Sequence, residues 1–504
     1  MKRFFLFAVL LGIGLGVRAG DIVVRPGDSV SDALRQAREW RRTGDPRCEG
    51  GIRILLQAGR YHLDEPLMIR PEDSGTEDSP TLIRGEAGAV LCGDPRQAHT
   101  RLWPREGMER LIDFDAQART ITIPTPPRRV RRAKNLEMVV HQRWAIAILR
   151  VKDMRVQGDR TVVSFHEPES SLEFEHPWPQ PVIGGERGNS SFLLRTTEQR
   201  LGLEQLVVIA GTDEDPVCHV SFEGVAFEHS CWNRPLRQGH VTLQGGFPLL
   251  SAYKLRQEGL PWDAGLENQA WIERPVAAVS VRGARQVHFR GCSFRHLGAT
   301  ALDFADGIYD CSVSGSRFED IGGTAILAGS FAEFPREVHR PYPDLAERCR
   351  ALEITGNVIR ESAVEDWGAV AIGCGYVRET TIADNDVRGT AYSGICLGWG
   401  WTAADTGTQD NHIMRNKVYD YARQLYDAGG IYTLSLQRNS SVCDNEIGAP
   451  GPAPYATNDR GFRIYLDARS DGFLIRGTRT GGRPIRRDEI GDNQPGPGLQ
   501  FMEE

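Results

Sequence analysis

Lysine is nearly absent from this sequence. Lys2, Lys134, Lys152, Lys254 and Lys417 are the only five in 504 residues, and arginine carries almost all the positive charge. Lys+Arg total 60 against 67 Asp+Glu, a net charge of −7 with no basic stripe, which argues against a nucleic-acid partner. No Cys-x-x-Cys pair occurs, so the usual ligand spacing of a structural zinc site is missing. No dense acidic cluster suggests calcium, and neither metal nor cofactor is expected. Beyond the first twenty residues no apolar run is long enough to span a bilayer. Glycine has no strict three-residue period, which excludes collagen. With 40% hydrophobic residues, wholesale disorder is excluded as well.

Residues 1–19 read as a secretory signal. Lys2 and Arg3 form its basic start, Phe4 to Val17 its apolar stretch, and Val17-Arg18-Ala19 its cleavage site. The protein is therefore expected to be exported, to the periplasm or the extracellular space. Ten cysteines then enter an oxidising compartment, and an even count permits disulfides. Yet Cys292, Cys396 and Cys443 sit in strand-like runs, which favours buried free thiols.

The second half of the chain repeats. An aliphatic residue, two residues, Asn, one residue and a second aliphatic recur around Asn357, Asn385, Asn416 and Asn445, spaced 28, 31 and 29 residues apart. Segments around Cys292 and Ser316 share the frame without Asn. A further short strand follows each: Ala301-Leu302, Ala325-Ile326, Ala369 to Ile372, Gly394 to Leu397, Gly430 to Leu434 and Arg463 to Leu466. Short strands at this period, with 55 glycines for turns, describe coils of a solenoid. Asn then falls at one corner of successive coils, where amides can bond above and below and an αL turn is tolerated.

Upstream, Ser29 to Arg42 reads as a helix capped by Ser29 or Ser31, with Val30, Leu34, Ala37 and Trp40 on one face, suited to covering the open solenoid end. The expected organisation is a signal at 1–19, a cap and first coils at 20–109, and an inserted antiparallel β domain at 110–204. Parallel coils follow at 205–476, and an irregular tail at 477–504. The fold class read from these residues is an all-β solenoid of parallel coils.

Several segments resemble one known family. They are Gly59-Arg-Tyr-His-Leu-Asp-Glu-Pro-Leu67, Trp232-Asn-Arg-Pro235, Gly239-His-Val-Thr-Leu-Gln-Gly-Gly246, Tyr392-Ser-Gly-Ile-Cys-Leu-Gly-Trp-Gly-Trp401, Tyr426-Asp-Ala-Gly-Gly-Ile-Tyr432 and Ile464-Tyr-Leu-Asp467. In this order, from about residue 21 to 476, they are similar to glycoside hydrolase family 141. The resemblance implies an all-β, right-handed parallel β-helix and cleavage of glycans outside the cytoplasm, with fucosidase- and xylanase-like activities both represented. It also implies that the catalytic carboxylates are Asp427 and Asp467.

The residues themselves offer three acids beside the recurring strand. Asp366 and Asp427 stand four residues before Val370 and Ile431, and Asp467 follows Leu466. Glycoside hydrolysis needs two carboxyl groups, and coils about 4.8 Å apart can supply either separation the chemistry uses. Asp467 lies at the far end of its strand, so pairing it with Asp427 needs a bend or a loop shift. Trp367, Trp399 and Trp401 are candidate sugar-stacking rings, with packing at the solenoid edge as the alternative. Tyr432 and Tyr465 follow the strand aliphatics by one residue and should point outward, toward the acids. Asp303 and Asp306 are weaker acidic candidates, read as turn residues. The segment Phe331 to Arg350, with His339, Arg340 and Tyr342, is long enough to overhang that face or to lie solvated beside it.

The expected partner is a polysaccharide or oligosaccharide, and oligomeric state is left open. Two other functions fit the same fold. A polysaccharide lyase would need a base and often Ca²⁺, and a glycan-binding surface protein would need no catalysis.

Overall fold

The computed structural model describes residues 20–502, except 95–107, 143, 177–179, 186–187, 197–201, 252–270, 334–335, 338–342, 452–460 and 493–494. The proposed signal at 1–19 lies outside the described residues, as do His339, Arg340 and Tyr342. No helix among the described residues is long and apolar enough to cross a membrane.

The cap forms as its spacing predicts. Helix Val30–Thr43 buries Val30, Ala33, Leu34, Ala37 and Trp40, and Ser29 is its N-cap, accepting from the Asp32 amide at 3.2 Å. Gly44, with φ of 64°, ends it. The apolar stripe closes the first coils of the solenoid core.

Behind the cap, the chain winds a right-handed parallel β-helix with three parallel ladders. One coil shows the pattern: Thr381–Ala383, Asp386–Thr390 and Ile395–Leu397 each join a different ladder. The third ladder aligns Leu302, Ile326, Ile372, Ile395, Ile431 and Ile464 in register, all buried in the core. This corrects one alignment. The partner of Ile431 across the intervening coil is Ile372, not Val370, so Asp366 stands six residues before the ladder position and Asp427 four.

The asparagines stack at one corner as expected. Asn385 Oδ1 accepts from the Asn357 amide and from Asn357 Nδ2, each at 3.0 Å; Asn416 and Asn445 repeat this for the asparagine before them. Each Nδ2 also donates to a backbone carbonyl, such as Asn416 to Ile382 at 2.8 Å. The αL residue is not Asn but its predecessor: Gly356, Asp384, Arg415 and Asp444 have φ between 54° and 65°. Glycine meets that demand without strain, and Asp and Arg accept a small cost for it.

All ten cysteines are free, as the strand-like settings of Cys292, Cys396 and Cys443 suggested for those three. Burial pushes the Cys311 and Cys374 thiols up to about 12.

The inserted domain is antiparallel, with strands Leu136–His141, Ile146–Gln157 and Ser191–Thr196 at its centre. Strands from beyond residue 204 extend its sheet. Strand Ile146–Gln157 pairs with His240–Leu243, Ala147 opposite Val241, and the sheet continues through Phe247–Ser251 and Trp271–Ile272. It packs on the outer face of the third ladder and creates a second core there, including Phe247, Phe331, Trp399, Tyr432 and Tyr465.

The tail also departs from expectation. It adds ladder strands Ile490–Asp492 and Gln500–Met502, with Ile490 beside Ile464 and Gly491 beside Tyr465. A Cβ on Gly491 would meet the Phe462 ring at 2.3 Å, so only glycine fits there.

Candidate active site

Strands Ala428–Thr433 and Gly461–Leu466 are neighbours in the third ladder, with Tyr432 opposite Tyr465. Side chains alternate across a strand, so Ile431 and Ile464 enter the core while both tyrosines turn outward, as the sequence predicted. Their rings cross at 80° with centroids 5.3 Å apart. Tyr465 Oη donates to Asp427 Oδ1 at 3.0 Å, and Tyr432 Oη donates to Asp467 Oδ2. No bend of the strand is needed: the length of two phenol side chains spans the gap between acids at opposite strand ends.

Asp467 is 7% exposed, and its Oδ2 also accepts from Trp401 Nε1 at 2.9 Å. Asp427 is half-buried and adopts φ of 62°, a conformation Asp tolerates better than most residues. The opposite wall comes from the inserted sheet. Gln244 Nε2 donates to Tyr392 Oη at 2.8 Å and to Tyr432 Oη at 3.0 Å, and Tyr392 Oη donates to the Asp427 carbonyl at 3.0 Å. Burial, then the charge of Asp467, holds the Tyr432 phenol well above its ordinary value; burial and the Asp427 charge do the same for Tyr392. Both phenols therefore stay protonated as donors.

The tryptophans divide. Trp367 is 0% exposed inside the solenoid core, so the expected sugar-stacking role is corrected: it has no face to offer. Trp399 is buried among Phe247, Phe331 and Trp401, with Nε1 unpartnered. Trp401 remains half-buried beside Asp467. Tyr432 and Tyr465 are each 3% exposed, so they act on the acids rather than as open platforms.

Asp366 is not part of this network. Its Oδ1 accepts from the Gly368 amide at 3.0 Å, and its Oδ2 accepts from His240 Nε2 at 3.0 Å. Burial lowers His240 below its ordinary value despite the pull of Asp366, so the ring is neutral and Nε2 carries the proton. Asp303 and Asp306 are strand residues rather than turn residues. Asp303 takes two bonds from Arg274, at 2.7 and 2.6 Å, and Asp306 pairs with Arg348 at 3.0 Å. Among the described residues no group of three or more His, Cys, Asp or Glu could hold a metal ion.

Sequence reasoning gave no role to His240, Gln244 or Tyr392. Their segments carry the family resemblance, but the long-range pairing of Ala147 with Val241 carries His240 and Gln244 over the ladder.

Residues 96–204 match the family model described as the GH141 insertion domain. A solved structure described as a glycoside hydrolase is 32% identical, with 96% of each chain covered and a TM-score of 0.87. The complex of XylC with xylose is 9% identical, covering 85% of this chain and 65% of its own, with a TM-score of 0.39. An alginate lyase from Paenibacillus sp. str. FPU-7 is 10% identical, covering 95% of this chain and 99% of its own, also at 0.39. No curated protein sequence matches.

Proposed function

This chain belongs to the glycoside hydrolases that carry the GH141 insertion domain, and from that premise we propose that Asp427 and Asp467 are its two catalytic carboxyl groups. One observation carries the assignment: the crossed phenols of Tyr432 and Tyr465 tie acids from two coils into one buried-to-exposed network. Hydrolysis divides the work between a carboxylic acid that protonates the leaving oxygen and a carboxylate that attacks the anomeric carbon or activates water. Asp467 receives two donors on one oxygen, which suits the nucleophile or base. Asp427, half-buried at the edge of the network, is assigned the leaving oxygen. Tyr432 donates to Asp467 and fixes it, and Gln244 fixes Tyr432.

The substrate we assign is a plant- or microbe-type polysaccharide or a fragment of one, cut with fucosidase- or xylanase-like specificity. Residues 1–19 support export to the compartment where such polymers occur.

The test is incubation in ¹⁸O-water with aryl glycosides, fucosylated glycans and xylans. Hydrolysis places one ¹⁸O on a product. An unsaturated, UV-absorbing product without the label would overturn the mechanism.

A further inference from the structure

A second polar cavity lies beside this network and is not used by it. It holds about 150 Å³ between the solenoid turn at Gly323-Thr324 and the segment Trp232 to Gly246. Gln244 and Gly246 flank one short turn: the first bonds Tyr432, while Gly246 lines the cavity against Asp366. The cavity therefore shares one turn of chain with the network but has its own walls.

Those walls are Trp232, Arg234, His240, Glu273, Arg274 and Asp366. Two buried polar atoms there have no partner, His240 Nδ1 and Arg234 Nε. His240 is 1% exposed. Buried polar atoms are normally satisfied, so an unpartnered acceptor and an unpartnered donor at one cavity point to a polar occupant. Trp232 stands edge-on to His240, ring centroids 4.6 Å apart, and is half-buried.

Size limits the occupant. A cavity of about 150 Å³ accommodates one six-membered ring. Charge limits it further. Arg274 is held by Asp303, and Arg234 by Glu273. Only Arg237, exposed at the rim, lacks an acidic partner. A uronate carboxylate would thus find no uncompensated buried cation and would face Asp366 and Glu204. A neutral polyol suits the mixture, because each hydroxyl both donates and accepts.

We propose that this cavity is a subsite for one neutral sugar ring, a unit of the glycan whose bond is cut at Asp427 and Asp467. The subsite rests on that reading of the active site for its purpose, though not for its binding chemistry. His240, oriented by Asp366, and Glu273 read the hydroxyls, and Trp232 supplies a flat wall.

Binding tests it without turnover. L-Fucose, D-xylose, D-galactose and D-glucuronate are titrated into full-length Asp427→Asn protein, followed by saturation-transfer NMR and calorimetry. At least one neutral sugar should bind and D-glucuronate should not. Adding Glu273→Gln or Arg237→Ala, both at exposed positions where folding is safe, separates the walls. Glu273→Gln should weaken binding at least tenfold, and Arg237→Ala should change it less than threefold. Preference for D-glucuronate, absence of binding by all three neutral sugars, or binding indifferent to Glu273→Gln and Trp232→Ala would overturn the subsite. Full hydrolysis by Asp427→Asn would instead overturn the catalytic assignment and leave the binding result standing.

Discussion

Tyr465 donates to Asp427 at 3.0 Å while its register partner Tyr432 donates to Asp467, so each phenol serves the acid of the other strand. Tyr465→Phe keeps the ring packing and deletes one hydroxyl. A hydrogen bond to a charged group contributes about 2 kcal/mol. Steady-state kinetics should show kcat reduced by tens of fold with KM little changed, and thermal unfolding should move by only a few degrees. Unchanged kcat would show that Tyr465 does not position Asp427.

Trp367, in the solenoid core, and Trp401, bonded to Asp467, should separate in a stability-against-activity comparison. Trp367→Ala opens the solenoid core and should cost about 3–5 kcal/mol in urea unfolding. Activity per folded molecule should stay near normal. Trp401→Phe removes the Nε1 donor to Asp467 and should lower kcat about tenfold or more at small cost in stability.

Asn416→Ala tests the corner stack. It leaves the Asn385 amide, Asn385 Nδ2 and the Ile382 carbonyl buried without that partner. Each such loss costs about 1–3 kcal/mol, so denaturant unfolding should show a drop of several kcal/mol. A drop below about 1 kcal/mol would mean that water replaces the amide.

The solenoid was legible because Asn357, Asn385, Asn416 and Asn445 mark one corner with local spacing. The outward turn of Tyr432 and Tyr465 followed from strand alternation alone. Asp366 was misaligned because Val370 and Ile372 are both aliphatic and differ by one full strand period, while only the paired register shows which one stands on the ladder. Trp367 was misjudged for the same reason: its segment turns inward ahead of that strand. Gln244 and His240 were not legible as site residues, because a sheet strand far along the chain brings them over the ladder. The tail coil was hidden by its Gly, Arg and Pro content, since Ile485, Ile490, Leu499, Phe501 and Met502 are scattered through it without a repeat spacing.

Acid should loosen the inserted sheet from the solenoid. His141 donates from Nε2 to the Gln424 carbonyl at 2.7 Å, and burial lowers its pKa from the ordinary 6.5 to about 4. Below pH 6.5 the unfolded chain takes up a proton that the folded chain refuses. The stabilisation is present above 6.5 and is lost as pH falls toward 4, at about 1.4 kcal/mol per pH unit. Urea midpoints across that window should fall less steeply in His141→Gln, which can still donate but does not titrate. Equal slopes would remove His141 from the acid response.

The central claim is that Asp427 and Asp467 divide the chemistry. Aryl glycosides that share a sugar but differ in leaving-group acidity test it most directly, with Asp427→Asn and Asp467→Asn compared against the parent. A missing proton donor matters least when the leaving group departs unaided, whereas a missing nucleophile or base matters for every leaving group. Asp427→Asn should lose at least a hundredfold on poor leaving groups and recover much of it on the most acidic one. Asp467→Asn should stay at least a hundredfold down throughout. Near-normal rates for either variant on the poor leaving groups would contradict the account.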